Sequence, residues 1–186
     1  MKKMIFALFV STLVPLFAFK NKADGSKLVS KTGQATFFSH TSAEDISAVN
    51  YKVTATLDPS TGEVVFVFPM QSFEFKKALM QKHFNGKDFL DTKQYPKSKF
   101  KGTITNLSEI DFKKDGTYSA KVKGELTIKG VTKSVNETGT IKVAGDKITV
   151  DAKSKVVLAD YNISFSKGKP STNVAKEVEI SLTTEF

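Results

Sequence analysis

Two histidines, His40 and His83, are the side chains best suited to metal or proton chemistry in this sequence. They lie far apart, and no HxH or HxxxH spacing sets two ligands on one element, so a metal site is not expected. Carboxylates come in pairs at Glu44–Asp45 and at Asp88 and Asp91. Both pairs sit in polar, turn-like surroundings, where solvated surface is the simpler role. There is no GxSxG, no glycine-rich phosphate loop and no dinucleotide fingerprint. No cysteine occurs, which excludes disulfides, thiolate metal sites and thiol nucleophiles together. No catalytic residue is assigned, no cofactor is expected, and a non-enzymatic role follows.

Such residues need elements to hold them, and the chain supplies strands. Apolar residues recur with period two at Val122, Gly124, Leu126 and Ile128, at Ile148, Val150, Ala152, Val156 and Leu158, and at Val178, Ile180, Leu182, Thr184 and Phe186. Each series alternates with lysine, threonine, aspartate or glutamate, the mark of a strand with one buried face. Further strands read from "KLVSK", "QATFFSHT", "YKVTATL", "EVVFVFPM", "SKFKGTITN" and "SVNETGTIKVA". The joints carry turn residues: "DPSTGE", an Asp115-Gly116 hairpin signal, "KGVTK" and "AGDK". Short turns make sequential antiparallel neighbours, about nine strands in up-and-down order.

Two short helices are predicted among them. "SAEDISAVN" (42–50) offers Ser42 as N-cap with Asp45 three residues on. "KKALMQKHFNG" (76–86) has good helix formers, a Met80–Phe84 pair and an Asn85-Gly86 exit suited to a left-handed cap. Between them, 63–68 is apolar on both faces. Pro69 shifts the register, so Phe73 and Phe75 fall on the parity opposite to Phe66 and Phe68. The helix at 76–85 is expected to cover this region as a lid.

Residues 1–19 read as a secretory signal peptide: a basic "MKK", then an apolar run interrupted by Ser11, Thr12 and Pro15. Residues 20–186 make a single domain. The formal charge is +9 and every basic residue is lysine. Nucleic-acid readers cluster lysine with arginine; here the lysines spread over the polar parity of the strands. Nucleic acid is therefore not an expected partner, whereas transient contact with an anionic membrane surface fits the charge. Sixteen phenylalanines and no tryptophan stand out. Four of the phenylalanines fall in the leader, and the rest suit the wall of an interior that admits a flexible apolar guest.

The stretch "SFEFKKALMQKHFNGKDFLDTKQYPKSKFKG" (72–102), followed by "GELTIKGVTKSV" (124–135), resembles the YceI-like family of exported, polyisoprenoid-binding, lipocalin-like proteins. The family pattern of a His, then "dF(L/F)D", then "YP-x-x-x-F" is met by His83, residues 88–91, Tyr95, Pro96 and Phe100. The opening "GQATFFSHTSAEDISAVN" and the closing "EVEISLTTEF" fit as well. The chain departs in the helix, where "KALMQK" replaces the commoner arginine-aspartate start. The resemblance implies an all-β fold: an elongated antiparallel up-and-down barrel of about eight strands with one or two short helices. It also implies a periplasmic carrier, a monomer or dimer, holding a long isoprenoid or quinone-like lipid inside. The wall would then comprise Phe37, Val53, Phe66, Phe68, Phe73, Phe75, Met80, Phe84, Phe89, Phe100, Ile104, Leu126, Ile128 and Val150. Lys82 and His83 would stand near the mouth and meet a polar headgroup. The rivals are an exported interaction module with a packed barrel and an enzyme acting on a lipid or quinone.

Overall fold

The computed structural model describes residues 27–163 and 175–186; the expected leader, 1–19, lies outside them. The strands are β1 (Leu28–His40), β2 (Asp45–Leu57), β3 (Glu63–Pro69), β4 (Phe73–Phe75), β5 (Lys97–Ile104), β6 (Gly116–Ile128), β7 (Val131–Ala144), β8 (Lys147–Val157) and β9 (Glu177–Glu185). One α-helix, α1 (Ala78–Asn85), follows β4. The antiparallel sheet runs β1-β9-β8-β7-β6-β5-β3-β2, and β1 also pairs with β2, which closes eight strands into a barrel. β4 continues the line of β3 along β2: Thr54–Leu57 pair with β3, while Ala48–Asn50 pair with β4.

The break between β3 and β4 is where Pro69 was expected to shift the register. A single 3-10 turn, Met70–Ser72, takes up the offset. Opposite it, β2 bulges, with Tyr51 and Lys52 both exposed between inward Asn50 and Val53. Asn50 is completely buried. Its Nδ2 donates to the Pro69 carbonyl at 2.9 Å, and its Oδ1 accepts the Lys52 amide at 2.9 Å. One amide side chain thus satisfies both sides of the irregularity, as a buried bulge requires.

The alternation read from the sequence is the pleat of the barrel. Outward lysines meet glutamates across the β8–β9 ladder, Lys153 with Glu179 at 2.8 Å and Lys155 with Glu177 at 3.0 Å. Exposed pairs of this kind keep the outer face soluble and add little stability. Two glycines make room on the inner face. Gly102 and Gly124 pair across β5 and β6, and a Cβ on either would come within 2.7 Å of Phe100 Cζ. The Phe100 ring therefore lies flat against the wall at this pair.

Three local expectations are corrected. Residues 42–50 form a turn and the start of β2, because Ile46, Ala48 and Asn50 bury alternately opposite β1, and that pairing outweighs a weak capping box. Asp115-Gly116 is not a two-residue hairpin: β5 and β6 are joined by residues 105–115, with a 3-10 turn at Leu107–Glu109. Asp115 instead accepts the Gly145 amide of the β7–β8 turn at 2.8 Å. Gly86 does not take the left-handed conformation (φ −70°). Its carbonyl receives the amides of Phe89 and Asp91 at 3.0 and 2.8 Å, and the positive φ falls on Asp91.

The β2–β3 turn carries a pH-sensitive cap. Asp58 Oδ1 accepts the Ser60 hydroxyl at 2.6 Å and the amides of Ser60 and Thr61 at 2.9 and 3.2 Å. The Ser60 hydroxyl above all holds the Asp58 carboxyl below its usual value; burial, the next largest effect, opposes it, and the Ser60 and Thr61 amides and the Thr61 hydroxyl add to the lowering. A depressed acid stabilises the fold above its unfolded pKa, and that contribution disappears as pH falls through the folded value. Asp58→Asn is expected to lower the melting temperature at neutral pH and to flatten its decline below about pH 4. Thermal melts across that range check this; parallel curves for both proteins would contradict it.

Candidate functional site

Inward residues of β3, β5, β6, β7, β8 and β9 enclose a cavity of about 160 Å³. Its wall is almost wholly aliphatic and aromatic; Ser98, Glu137, Thr140 and Ser154 bring the polar side chains. The inward face of the β6–β7 hairpin is only half-buried at Leu126, Ile128, Val131, Val135 and Glu137, whereas Ile141, Val143, Val53 and Leu57 at the other end are buried. Apolar packing therefore closes one end and leaves the hairpin side of the cavity accessible.

The strands also part on that side. β7 and β8 pair only from Gly139 to Ala144 against Lys147 to Ala152. Beyond Gly139 the rest of β7, Val131–Thr138, pairs with β6 alone, and beyond Ala152 β8 pairs with β9 alone. The side chains of Glu137 and Ser154 meet across this seam, Ser154 Oγ donating to Oε1 at 2.5 Å. The 3-10 turn Leu158–Tyr161 packs against β7 here. Burial, together with the charges of Asp160 and Glu137, pushes the Tyr161 phenol up, so it remains a hydrogen-bond donor.

Of the residues expected to wall the interior, Phe66, Phe68, Phe73, Phe100, Ile104, Leu126, Ile128 and Val150 line this cavity. Phe37, Val53, Phe75, Met80, Phe84 and Phe89 do not. Val53 is packed core on β2. Met80 and Phe75 border a separate, smaller groove with Glu44, Asp45, Ile46 and Lys77. The other aromatics form a second cluster centred on Phe84, the one buried residue of α1. Its ring centroid lies 4.9 Å from Phe75, 5.4 Å from Phe73, and 6.0 Å from Phe37 and from Phe89. Phe73 belongs to both groups. The helix thus plugs the sector beside β1, β2 and β4, and it is not the cover of the cavity that the sequence led us to expect.

Lys82 and His83 are exposed on α1 and do not line the cavity. His40 Nδ1 bonds Asp45 Oδ1 at 2.5 Å, with both side chains exposed. Among the described residues no group of three His, Cys, Asp or Glu side chains is placed to hold a metal. Tyr95 has a clear structural task. It lies under the β6–β7 turn, where a Cβ on Gly130 would come within 2.8 Å of its ring, and where Gly130 has φ +77°. That turn needs glycine for both reasons.

The sequence reading missed Glu137 and Ser154. The signal was present: on β7 the inward parity runs Val131, Lys133, Val135, Glu137, Gly139, Ile141, with Lys133 exposed near the hairpin tip and Glu137 a carboxylate between apolar neighbours and glycine.

The YceI-like domain family matches residues 22–186. The chain belongs to that family. It is 29% identical over 134 residues to Protein YceI of Escherichia coli O157:H7, a match covering 69% of this chain and 64% of that protein. It therefore spans slightly under two thirds of the length of that YceI relative. The same barrel occurs in BcnA of Burkholderia cenocepacia, with TM-score 0.70, 23% identity, and coverage of 83% of this chain and 96% of that one. It also occurs in a polyisoprenoid-binding domain of Saccharophagus degradans, with TM-score 0.70, 10% identity and coverage of 86% and 96%. At these identities the two structures establish the shared fold.

Proposed function

We propose that this YceI-like protein is an exported carrier that holds a long apolar lipid, isoprenoid or quinone-like in class, inside its barrel. The observation that carries this is the cavity: apolar walls on six strands, closed at one end and half-open along the β6–β7 hairpin. A packed structural barrel has no use for Leu126, Ile128 and Val135 turned inward and left half-exposed. Each CH₂ withdrawn from water contributes about 0.8 kcal/mol, so a long chain is strongly driven into such a lining. A cavity of about 160 Å³ is on the scale that admits a single small ring. A longer chain must spread the half-buried wall, and the unpaired seam is where the wall can yield. The leader-like residues 1–19 support export to the periplasm, and the polyisoprenoid binding of the Saccharophagus relative supports the lipid class.

The test sets wall against surface. Leu126→Glu puts a carboxylate on the half-buried inner face; Lys123→Glu puts one on the exposed outer face of the same strand. The first is expected to weaken binding of a fluorescent polyene fatty-chain probe by about a hundredfold or more, given what an unpaired charge costs in an apolar site. The second is expected to leave it within about twofold, as is usual for surface changes. Equal affinities for both variants would refute the carrier reading.

A further inference from the structure

Resting on the carrier reading, we propose that the β7–β8 seam is a headgroup site that selects a chain ending in a neutral O–H donor, such as an alcohol or hydroquinone, over a phosphorylated one. Among the described residues Glu137 is the one acidic side chain lining the cavity. Ser154 Oγ spends its only hydrogen on Glu137 Oε1, so the pair presents acceptors to whatever reaches it. A carboxylate offers about four acceptor positions, and Ser154 fills one. A second polar point lines the cavity from β5, away from the seam: Ser98 Oγ is buried and has no hydrogen-bond partner among the described residues. A buried hydroxyl left unpaired is costly unless something else completes it.

A terminal hydroxyl can donate to Glu137 while its chain runs along Phe66, Phe100 and Leu126. A phosphate brings negative charge against the half-buried Glu137 carboxylate, where the adjoining apolar wall screens like charges less than open water does. The nearby lysines do not offset this: Lys133 shares the inward parity of β7 but is exposed near the hairpin tip, four positions from Glu137. Lys153 and Lys155 lie on the outer face of β8, paired with Glu179 and Glu177. Lys129 reaches the Asn162 carbonyl at 3.3 Å.

The experiment is displacement of the same fluorescent probe from solvent-washed protein by geranylgeraniol and by geranylgeranyl phosphate. The alcohol is expected to bind at least about tenfold more tightly. Glu137→Gln, which keeps shape and removes charge, is expected to bring the two within about twofold, chiefly by tightening the phosphate. Circular dichroism confirms that the variant is folded, and the wild-type ratio tests the proposal without it. Equal or tighter binding of the phosphate to wild type would overturn the headgroup site and leave the carrier reading standing. Displacement by neither compound would overturn both.

Discussion

Phe84→Ala is expected to cost the fold about 3–5 kcal/mol, the range for truncating a buried phenylalanine. For a domain of this size that is a fall in melting temperature of roughly 10 °C. The reason is its position at the centre of the aromatic plug, with the rings of Phe37, Phe73, Phe75 and Phe89 all within 6.0 Å of its own. An eight-residue helix has no stability of its own in water, and Phe84 is the residue by which α1 is buried. Losing the ring should release the helix as well as open a void. Leu79→Ala on the same helix, where the side chain is 60% exposed, should change stability by less than about 0.5 kcal/mol. Because Phe84 does not line the cavity, probe affinity below the melting temperature should survive within a few-fold. Denaturant unfolding with binding on both variants checks this. Loss of binding without loss of stability would restore the helix to the role of cavity cover.

The second large effect concerns the glycine pair under Phe100. Gly124→Val is expected to destabilise by about 3 kcal/mol, the upper part of the usual overpacking range. A Cβ at Gly124 would stand 2.5 Å from the Lys101 carbonyl oxygen, 2.7 Å from Gly102 Cα and 2.7 Å from Phe100 Cζ. Two of these are backbone atoms, so relief requires the β5–β6 ladder to shift. The ring can move only toward the cavity, so probe binding should fall too. Combining Gly124→Val with Phe100→Leu should recover part of the loss, a coupling between neighbours that a double-mutant cycle measures. Strict additivity would mean the ring does not lie over the pair.

The pleat was legible because one face of nearly every strand is buried, and burial with period two leaves a direct trace. Leu126 and Val150 could be set on an inner face from parity, whereas 63–68 is apolar on both faces and parity did not say which way Phe66 and Phe68 point. Residues 42–50 were misread because Ile46 is the one large apolar side chain among those that bury there, with Ala48 and Asn50, and their strand character comes from β1, which lies opposite. Phe37, Phe84 and Phe89 could be recognised as interior, but periodicity does not say which of two apolar clusters a residue joins. That depends on where β3 breaks at Pro69 and on Asn50, whose amide fixes the break. Glu137 was overlooked for the opposite reason: the strand was recognised and the charged residues on its inward parity, Lys133 and Glu137, were passed over. The seam lies further from the sequence still, since the length of the β7–β8 ladder is a property of barrel closure.

The central claim, that the barrel holds an apolar chain, is tested most directly by extracting freshly purified protein with organic solvent and analysing the extract by mass spectrometry. The account predicts a long-chain lipid in near-stoichiometric amount from wild type and its loss from Leu126→Glu. Extracts free of lipid from protein produced in several hosts, with Leu126→Glu indistinguishable from wild type, would contradict it.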